Sequence, residues 1–364
     1  MDKQEEFFAE HLRRRARSYY PSLESERITV TLHSVSHRPS ASLYRYIIAD
    51  KSQSHRVLVK MRHGRQDPKY ASANPRRYVV NEAETFWLEH RALSSIHQLF
   101  LAEDGEHFGA IRVLDVFDDL QAIIMTHSDS LCLRDIFARQ NRLQGFAKNS
   151  NLTPVFANAG AWLKRFHALP AEADTELCHY TRGEFIDCIE RICDHLAQRT
   201  GKAAYFRKLG SGIAQYAADM LATEMPLGRT HGDFAMRNIL VEEPRRVVVI
   251  DTIAKWQTAI YEDIGYFAAR LWTNQLQVYS LGMAYNRNWL ESVERAFLQA
   301  YFKEAAVPHQ VIGLYKILSL LDQWSASTEI LGQKQNLKNR LRMQLTGLYF
   351  PVLVDNWMAR LPHQ

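Results

Sequence analysis

The residues best suited to chemistry lie in one stretch of the second half of the chain, Thr230 to Trp256, which reads THGDFAMRNILVEEPRRVVVIDTIAKW. Asp233 and Asn238 precede an apolar run, and Asp251 follows a second run after the polar turn EEPRR. If the two runs form a hairpin, the three side chains meet at one end of it. Carboxylate and carboxamide oxygens favour Mg²⁺, whose coordination in proteins is usually completed by water and phosphate oxygens.

A single aspartate in such a stretch often only caps a turn, so neither Asp233 nor Asp251 would indicate a site by itself. The ordered set of polar residues around a strand, a turn and a second strand is more specific. With two carboxylates, one can bind a cation while the other accepts a proton. The stretch therefore predicts a site for phosphate chemistry.

The segment HGDFAMRN resembles the HxDxxxxN catalytic loop of the aminoglycoside phosphotransferase and choline kinase group, which is related to the eukaryotic protein kinases. Asp251 in VVVIDT stands where this group places its magnesium aspartate. The resemblance implies that Asp233 is the catalytic base and that Asn238 and Asp251 bind Mg²⁺. It implies loop support for His231 and for Asp263 in YEDIGYFAARL, whose carboxylate would hold backbone N–H groups.

Hydrophobic periodicity predicts the elements that position these residues. An amphipathic helix is predicted for Glu5 to Tyr20, and a helical pattern also fits NEAETFWLEHRAL and the segment Thr153 to His167. Strands are predicted at Ile28–Leu32, Leu43–Ala49, Arg56–Met61, Ile111–Val116, Ala122–Met125, Asn238–Val241 and Val247–Ile250. These elements predict an α+β fold class, and the resemblance implies that it is a two-lobed protein kinase-like fold. An N-terminal helix occupies residues 1–25, a small antiparallel-sheet lobe with one key helix residues 26–126, and a larger, mainly helical lobe residues 127–364.

The resemblance also implies that the first lobe binds ATP, or GTP. Lys60 in RVLVKM lies in an apolar strand and resembles the lysine that contacts the α- and β-phosphates. Glu82, which opens the following helix, is predicted to pair with it, and Glu84 is the competing candidate. The base would lie at the lobe junction, near Met125 and His127.

The segment between the first two strands, HSVSHRPSAS, contains no glycine, whereas protein kinases have a glycine-rich loop there. Without glycine the backbone cannot freely adopt positive φ next to phosphate. The hydroxyl groups of Ser36, Ser40 and Ser42 are predicted to contact phosphate instead. The same departure motivates an alternative, a nucleotide-binding pseudokinase with a regulatory role.

The composition fits a globular protein, with 46% hydrophobic and 23% charged residues among 364. Four cysteines without a close CxxC pair indicate reduced thiols, and the charged start MDKQEEFF is unlike a secretion signal, so we expect a cytoplasmic protein. A net charge of +5 suits anionic partners, but nothing resembles an RNA-binding or zinc-finger motif, so nucleic acid is not expected. Peripheral membrane contact through residues 5–20 is left open.

The acceptor is predicted from the helical region after Gly265, which holds ten Lys or Arg and six Asp or Glu. A pocket for a polycation would be expected to be acidic. This balance favours a hydroxyl group of a sugar, a glycan intermediate or a related alcohol. Aminoglycosides and choline or other amino alcohols are the alternative acceptors, since fold resemblance does not choose among them.

Overall fold

We analysed a computed structural model of the chain. The structure describes residues 3–24, 28–63, 82–101, 105–141, 151–172, 175–242, 244–252, 254–333 and 337–361. These residues form an α+β fold with a sheet-based first lobe and a mainly helical second lobe, which confirms the predicted fold class. Within the described residues, no helix is long and apolar enough to span a membrane.

The first lobe is built on an antiparallel sheet of five strands in the order β1-β2-β3-β6-β5. Its elements are α1 (Lys3–Tyr19), β1 (Thr29–His37), β2 (Ala41–Ala49), β3 (Ser54–Arg62), α2 (Glu82–Leu101), β4 (Phe108–Gly109), β5 (Val113–Phe117) and β6 (Ala122–Thr126). The five predicted strands and the helix between them are all present. Strand β4 pairs instead with a strand of the second lobe.

Successive side chains of β3 point to opposite faces of the sheet, and this alternation determines which of them face the site. Val57, Val59 and Met61 are buried in a cluster with α1, and the residues between them, including Lys60, belong to the opposite face. Helix α1 packs its own apolar side onto this cluster. The sheet therefore occupies the apolar face on which membrane contact through residues 5–20 would depend, and membrane contact stays a prediction resting on the exposed arginines of α1.

The connection between β1 and β2 differs from the predicted phosphate loop. Pairing continues through Leu32 and a register shift to the pair His37–Ser42, so most of HSVSHRPSAS belongs to the two strands. Only residues 38–40 remain as the connection, closed by a hydrogen bond from the Arg38 N–H to the Ala41 carbonyl oxygen at 2.8 Å. The prediction of a long loop is wrong because Val35 and the residues around it continue the strand alternation beyond a β-bulge.

The second lobe consists of packed helices around a large apolar core. Its elements are α3 (Leu133–Ala138), α4 (Thr153–His167), β7 (Glu176–Leu177), α5 (Arg182–Thr200), α6 (Ala203–Met220), β8 (Leu227–Arg229), β9 (Ile239–Glu242), β10 (Arg246–Val249), β11 (Trp256–Ala259), α7 (Tyr261–Trp272), α8 (Gln275–Tyr279), α9 (Arg287–Phe302), α10 (His309–Gln333) and α11 (Leu337–Arg360). Helix α4 has the predicted bounds, with proline in its first turn.

Two glycines allow close helix packing beneath the site. A Cβ at Gly160 in α4 would lie 2.1 Å from the Phe297 carbonyl oxygen in α9. A Cβ at Gly265 in α7 would lie 2.6–2.9 Å from atoms of Tyr315 in α10. These contacts require glycine. The contact at Gly265 holds α7, which carries Asp263, against α10.

Candidate active site

The hairpin of β9 and β10 brings the predicted polar residues to one end. Val249 pairs with Ile239, and the Ile250 N–H donates to the Asn238 carbonyl oxygen at 2.9 Å. Asp251, the next residue, therefore lies opposite the end of the loop that carries Asn238. Its φ of 60° is in the left-handed region, which aspartate tolerates better than most residues.

Asn238 is oriented by the loop before it. Its Nδ2 donates to the Asp233 carbonyl oxygen at 2.9 Å and to Asp233 Oδ2 at 3.0 Å. Both partners are acceptors, so the Nδ2 assignment is fixed and Oδ1 points away from Asp233. Oδ1 of Asn238 and the carboxylate of Asp251 are two hard oxygen ligands at one end of the hairpin.

This donor set fits Mg²⁺, which commonly binds one or two protein carboxylates or amides and completes its shell with water and phosphate. Among the described residues, no group of three or more His, Cys, Asp and Glu could hold a metal by itself. A cation at Asn238 and Asp251 would complete its shell with water or phosphate oxygens. The arrangement suits a metal that arrives with a nucleotide.

Asp263 holds the catalytic loop through backbone donors, as the resemblance implies. It accepts from the N–H groups of His231 at 2.7 Å and Gly232 at 3.0 Å. Its other partner is His167 Nε2 at 3.2 Å, and His167 Nδ1 in turn lies 2.8 Å from the Tyr301 hydroxyl. Burial opposes ionisation of Asp263, but its partners outweigh this and lower its pKa.

His231 lies inside the loop among the rings of Trp162, Phe166 and Phe234. Its Nδ1 accepts from the Asp233 N–H at 3.3 Å, so Nε2 carries the proton in the neutral ring. Burial lowers the pKa of His231, although nearby aspartates raise it in part. The histidine is therefore neutral near pH 7 and acts as a packing and hydrogen-bonding support.

Lys60 connects the two lobes. Its Nζ lies 2.5 Å from Glu89 Oε1 and 3.0 Å from Asp251 Oδ1. Burial alone would lower the pKa of Lys60, but the charges of Asp251 and Glu89 raise it. The charge of Lys60 in turn lowers the pKa of Asp251 to about 2. Both groups are charged at neutral pH.

A glutamate other than the predicted one lies beside Lys60. Glu89 occupies this place, seven residues and two helical turns after Glu82, and it also binds Arg62. The side chain of Glu82 lies outside the described part of the chain, and the competing Glu84 pairs with Lys255 at 2.9 Å. Positions seven residues apart recur on the same side of an ideal helix, so the sequence pattern alone could not choose between positions 82 and 89.

Two further nucleotide predictions need correction or qualification. The Ser42 side chain is buried, and its hydroxyl oxygen lies 2.7 Å from both His37 Nδ1 and His63 Nε2, so it is not free to contact phosphate. Ser40 lies in the short β1–β2 connection and stays a prediction. Met125 lies in an apolar cluster between the sheet, α2 and β10. The His127 N–H donates to the Arg56 carbonyl oxygen. That these two residues contact the base stays a prediction.

Sequence reasoning missed the side chains that surround Asp233. Arg237 Nη2 lies 2.5 Å from both carboxylate oxygens, and the Tyr266 hydroxyl donates to Oδ1 at 2.9 Å. Arg270 donates to the Tyr266 oxygen at 2.9 Å and stacks over its ring, with 4.8 Å from Cζ to the centroid. The i,i+4 spacing of Asp233 and Arg237 was visible in the sequence, but it is not diagnostic outside a helix.

Two lobes joined by a lysine–aspartate pair above a fixed catalytic loop define a protein kinase-like phosphotransferase site. The model of the phosphotransferase enzyme family matches residues 139–308, which include the loop, Asp251 and Asp263. The predicted resemblance is thereby confirmed, and the chain is a phosphotransferase acting on hydroxyl acceptors. Lys60 and Glu89 lie outside the matched segment. No curated protein sequence matches this chain.

Solved structures support the same fold. A spectinomycin phosphotransferase in complex with ADP and spectinomycin is similar, with 12% identity, coverage of 99% of this chain and 98% of that one, and a TM-score of 0.50. The ethanolamine kinase of Plasmodium vivax has 11% identity, coverage of 90% and 84%, and a TM-score of 0.50. At these identities the similarity establishes the fold and leaves the acceptor open.

Proposed function

We propose that the protein transfers the γ-phosphoryl group of Mg–ATP, or Mg–GTP, to a hydroxyl group of a sugar, a glycan intermediate or a related alcohol. The observation that carries this proposal is the contact of Lys60 from the first lobe with Asp251 from the second, 3.0 Å apart, next to the bonded pair Asn238–Asp233. An ammonium group and two oxygen ligands around one cleft provide what a triphosphate and its cation need.

In this proposal the first lobe and the hairpin bind the nucleotide between them. Lys60 contacts the α- and β-phosphates, and Glu89 holds its ammonium group in place. The base lies at the lobe junction by Met125 and His127, against the apolar side chains of Leu240 and Ile250, which pack on the same cluster. Ser40, in the β1–β2 connection, is the remaining hydroxyl candidate for a phosphate contact.

The transfer is an in-line displacement. The acceptor oxygen forms a bond to the γ-phosphorus while the bond from that phosphorus to the β–γ bridging oxygen breaks, and Asp233 accepts the hydroxyl proton. Mg²⁺ held by Asn238 and Asp251 would neutralise charge on the phosphates. Asp263 and His231 keep the loop in the geometry that the reaction requires.

The charges next to Asp233 favour the sugar or alcohol class over the alternatives. Arg237 contacts the carboxylate of Asp233, and Arg270 contacts the neighbouring Tyr266 hydroxyl. Two guanidinium groups this close to the base would repel an aminoglycoside or choline. Spectinomycin and ethanolamine, which appear in the names of the compared enzymes, belong in an acceptor screen as amine-bearing members.

The direct test is Asp233→Asn. We expect a loss of about 10²- to 10⁴-fold in phosphoryl transfer, the range of general-base catalysis, with nucleotide affinity nearly unchanged. Asp219→Asn on the exposed side of α6 is the matched control and should leave transfer unchanged. Transfer should be followed with labelled ATP against a panel of sugars, sugar acids, sugar phosphates and amino alcohols.

Equal turnover of Asp233→Asn and wild type would refute the assigned base. Magnesium-dependent ATP turnover without any acceptor in the panel would instead favour the pseudokinase alternative. Nucleotide binding measured by calorimetry separates both results from a misfolded variant.

A further inference from the structure

As the structure stands, the carboxylate of Asp233 has no position left for an acceptor hydroxyl. A carboxylate offers about four lone-pair positions. Arg237 Nη2 takes one on each oxygen, Tyr266 takes a second on Oδ1, and Asn238 takes a second on Oδ2. One of these donors must leave before Asp233 can accept a proton.

Arg237 is the donor that can leave. Asn238 is buried and also bonds the Asp233 carbonyl oxygen, so its movement would disrupt the loop. Tyr266 is fixed on α7 beneath Arg270. The Arg237 side chain is 39% exposed, and the contacts it makes with Asp233 need no change in the backbone when they break.

The surroundings of Arg237 indicate what would draw it away. Arg270 donates to the hydroxyl oxygen of Tyr266, which itself donates to Asp233, and Arg134 is close enough to Arg237 for their charges to repel each other. Asp233 is the carboxylate that holds Arg237 in this group of arginines. A second anion bound there would gain from two or three guanidinium groups, which bind phosphate and carboxylate in a fork geometry.

We infer, on the basis of the proposed phosphoryl transfer, that the acceptor is a hydroxyl compound carrying a phosphate or carboxylate group, and that Arg237, with Arg270, binds this anion and thereby frees Asp233. The anion on the acceptor takes over the contacts that the carboxylate now makes. Arg237 is then a specificity residue, and an acceptor without an anion meets a base that is still blocked.

The test compares acceptors that differ only in their anion, such as glucose, glucuronate and glucose 6-phosphate, on the full-length enzyme. Transfer is measured with labelled ATP, and binding to the Mg–ADP complex is measured by calorimetry. We expect the wild type to prefer an anionic member over its neutral counterpart by roughly 10- to 100-fold in kcat/KM. Arg237→Gln should remove most of this preference, mainly through the KM of the anionic acceptor. The two anionic compounds distinguish phosphate from carboxylate.

Arg287→Gln is the matched control, because Arg287 also pairs with an acid four residues away, Glu291, and is similarly exposed. This variant should keep the preference of the wild type. An unchanged preference in Arg237→Gln would overturn the inference, as would a wild type that prefers neutral or amine-bearing acceptors or binds neither anionic compound. A raised KM for ATP with unchanged acceptor preference would assign Arg237 to the γ-phosphate. In each of these cases the effect of Asp233→Asn would still decide the proposed function independently.

Discussion

Two carboxylates of the site, Asp251 and Asp233, are each held by a basic side chain, but in different ways. The partner of Asp251 is Lys60, which comes from the other lobe, is only 15% exposed and is itself held by Glu89. The partner of Asp233 is Arg237, four residues away on the same loop and more exposed. The first pair depends on the packing of both lobes, whereas the second can break without moving either lobe.

This difference separates two tasks. Under the proposed function, the charges around Lys60 are preorganised for a nucleotide, because an acid and a base from separate elements hold each other in place. On the Arg237 side, a ligand must first break the contacts between Arg237 and the carboxylate of Asp233. We therefore expect mutations on the Lys60 side to reduce all transfer and mutations on the Arg237 side to change the choice of acceptor.

Lys60→Met is expected to give the largest effect on the nucleotide side. Removing the ammonium group eliminates a fixed positive charge at the phosphates, so kcat/KM for ATP should fall by roughly 10²- to 10³-fold for every acceptor. Lys51→Met in the exposed turn between β2 and β3 is the control and should be neutral. A loss confined to anionic acceptors would contradict the separation of the two sides.

Glu89→Gln should give a smaller effect of the same kind. Glu89 accepts from both Lys60 and Arg62, so the amide would weaken the hold on Lys60 and raise the KM for ATP by roughly 10-fold. Glu84→Gln, on the same helix, is the control, since Glu84 is half exposed and pairs with Lys255. If Glu82→Gln raised the KM for ATP and Glu89→Gln did not, Glu82 would be the functional partner of Lys60, as predicted from the sequence.

The sequence predicted those parts of the site that depend on local order. Asp233, Asn238 and Asp251 are close because a short turn joins two strands, and this could be inferred from the pattern alone. Glu89 and Ser42 depend on the register of a helix and a hairpin against β3, which is set by tertiary packing. The contacts of Asp233 with Arg237 and Tyr266 could not be predicted, because the i,i+4 spacing of Arg237 is not diagnostic outside a helix and Tyr266 comes from α7.

The smallest expected effect concerns His231, a buried ring close enough to Asp263, Asp233 and Asp251 for their charges to act on its pKa. Its pKa in the folded protein is lowered by burial, so the unfolded chain takes up a proton first as the pH falls below about 6.5. The free energy of unfolding should therefore fall with decreasing pH in that range, by up to about 1.4 kcal/mol per pH unit for this one group.

His231→Asn keeps an acceptor for the Asp233 N–H but removes the titrating ring. The slope of its unfolding free energy against pH, between pH 7.5 and 5.5, should therefore be shallower than that of the wild type. Urea unfolding at several pH values measures this, and His309→Gln at the exposed start of α10 should retain the wild-type slope. Equal slopes for His231→Asn and wild type would mean that the charges of Asp263, Asp233 and Asp251 cancel the effect of burial on the pKa of His231.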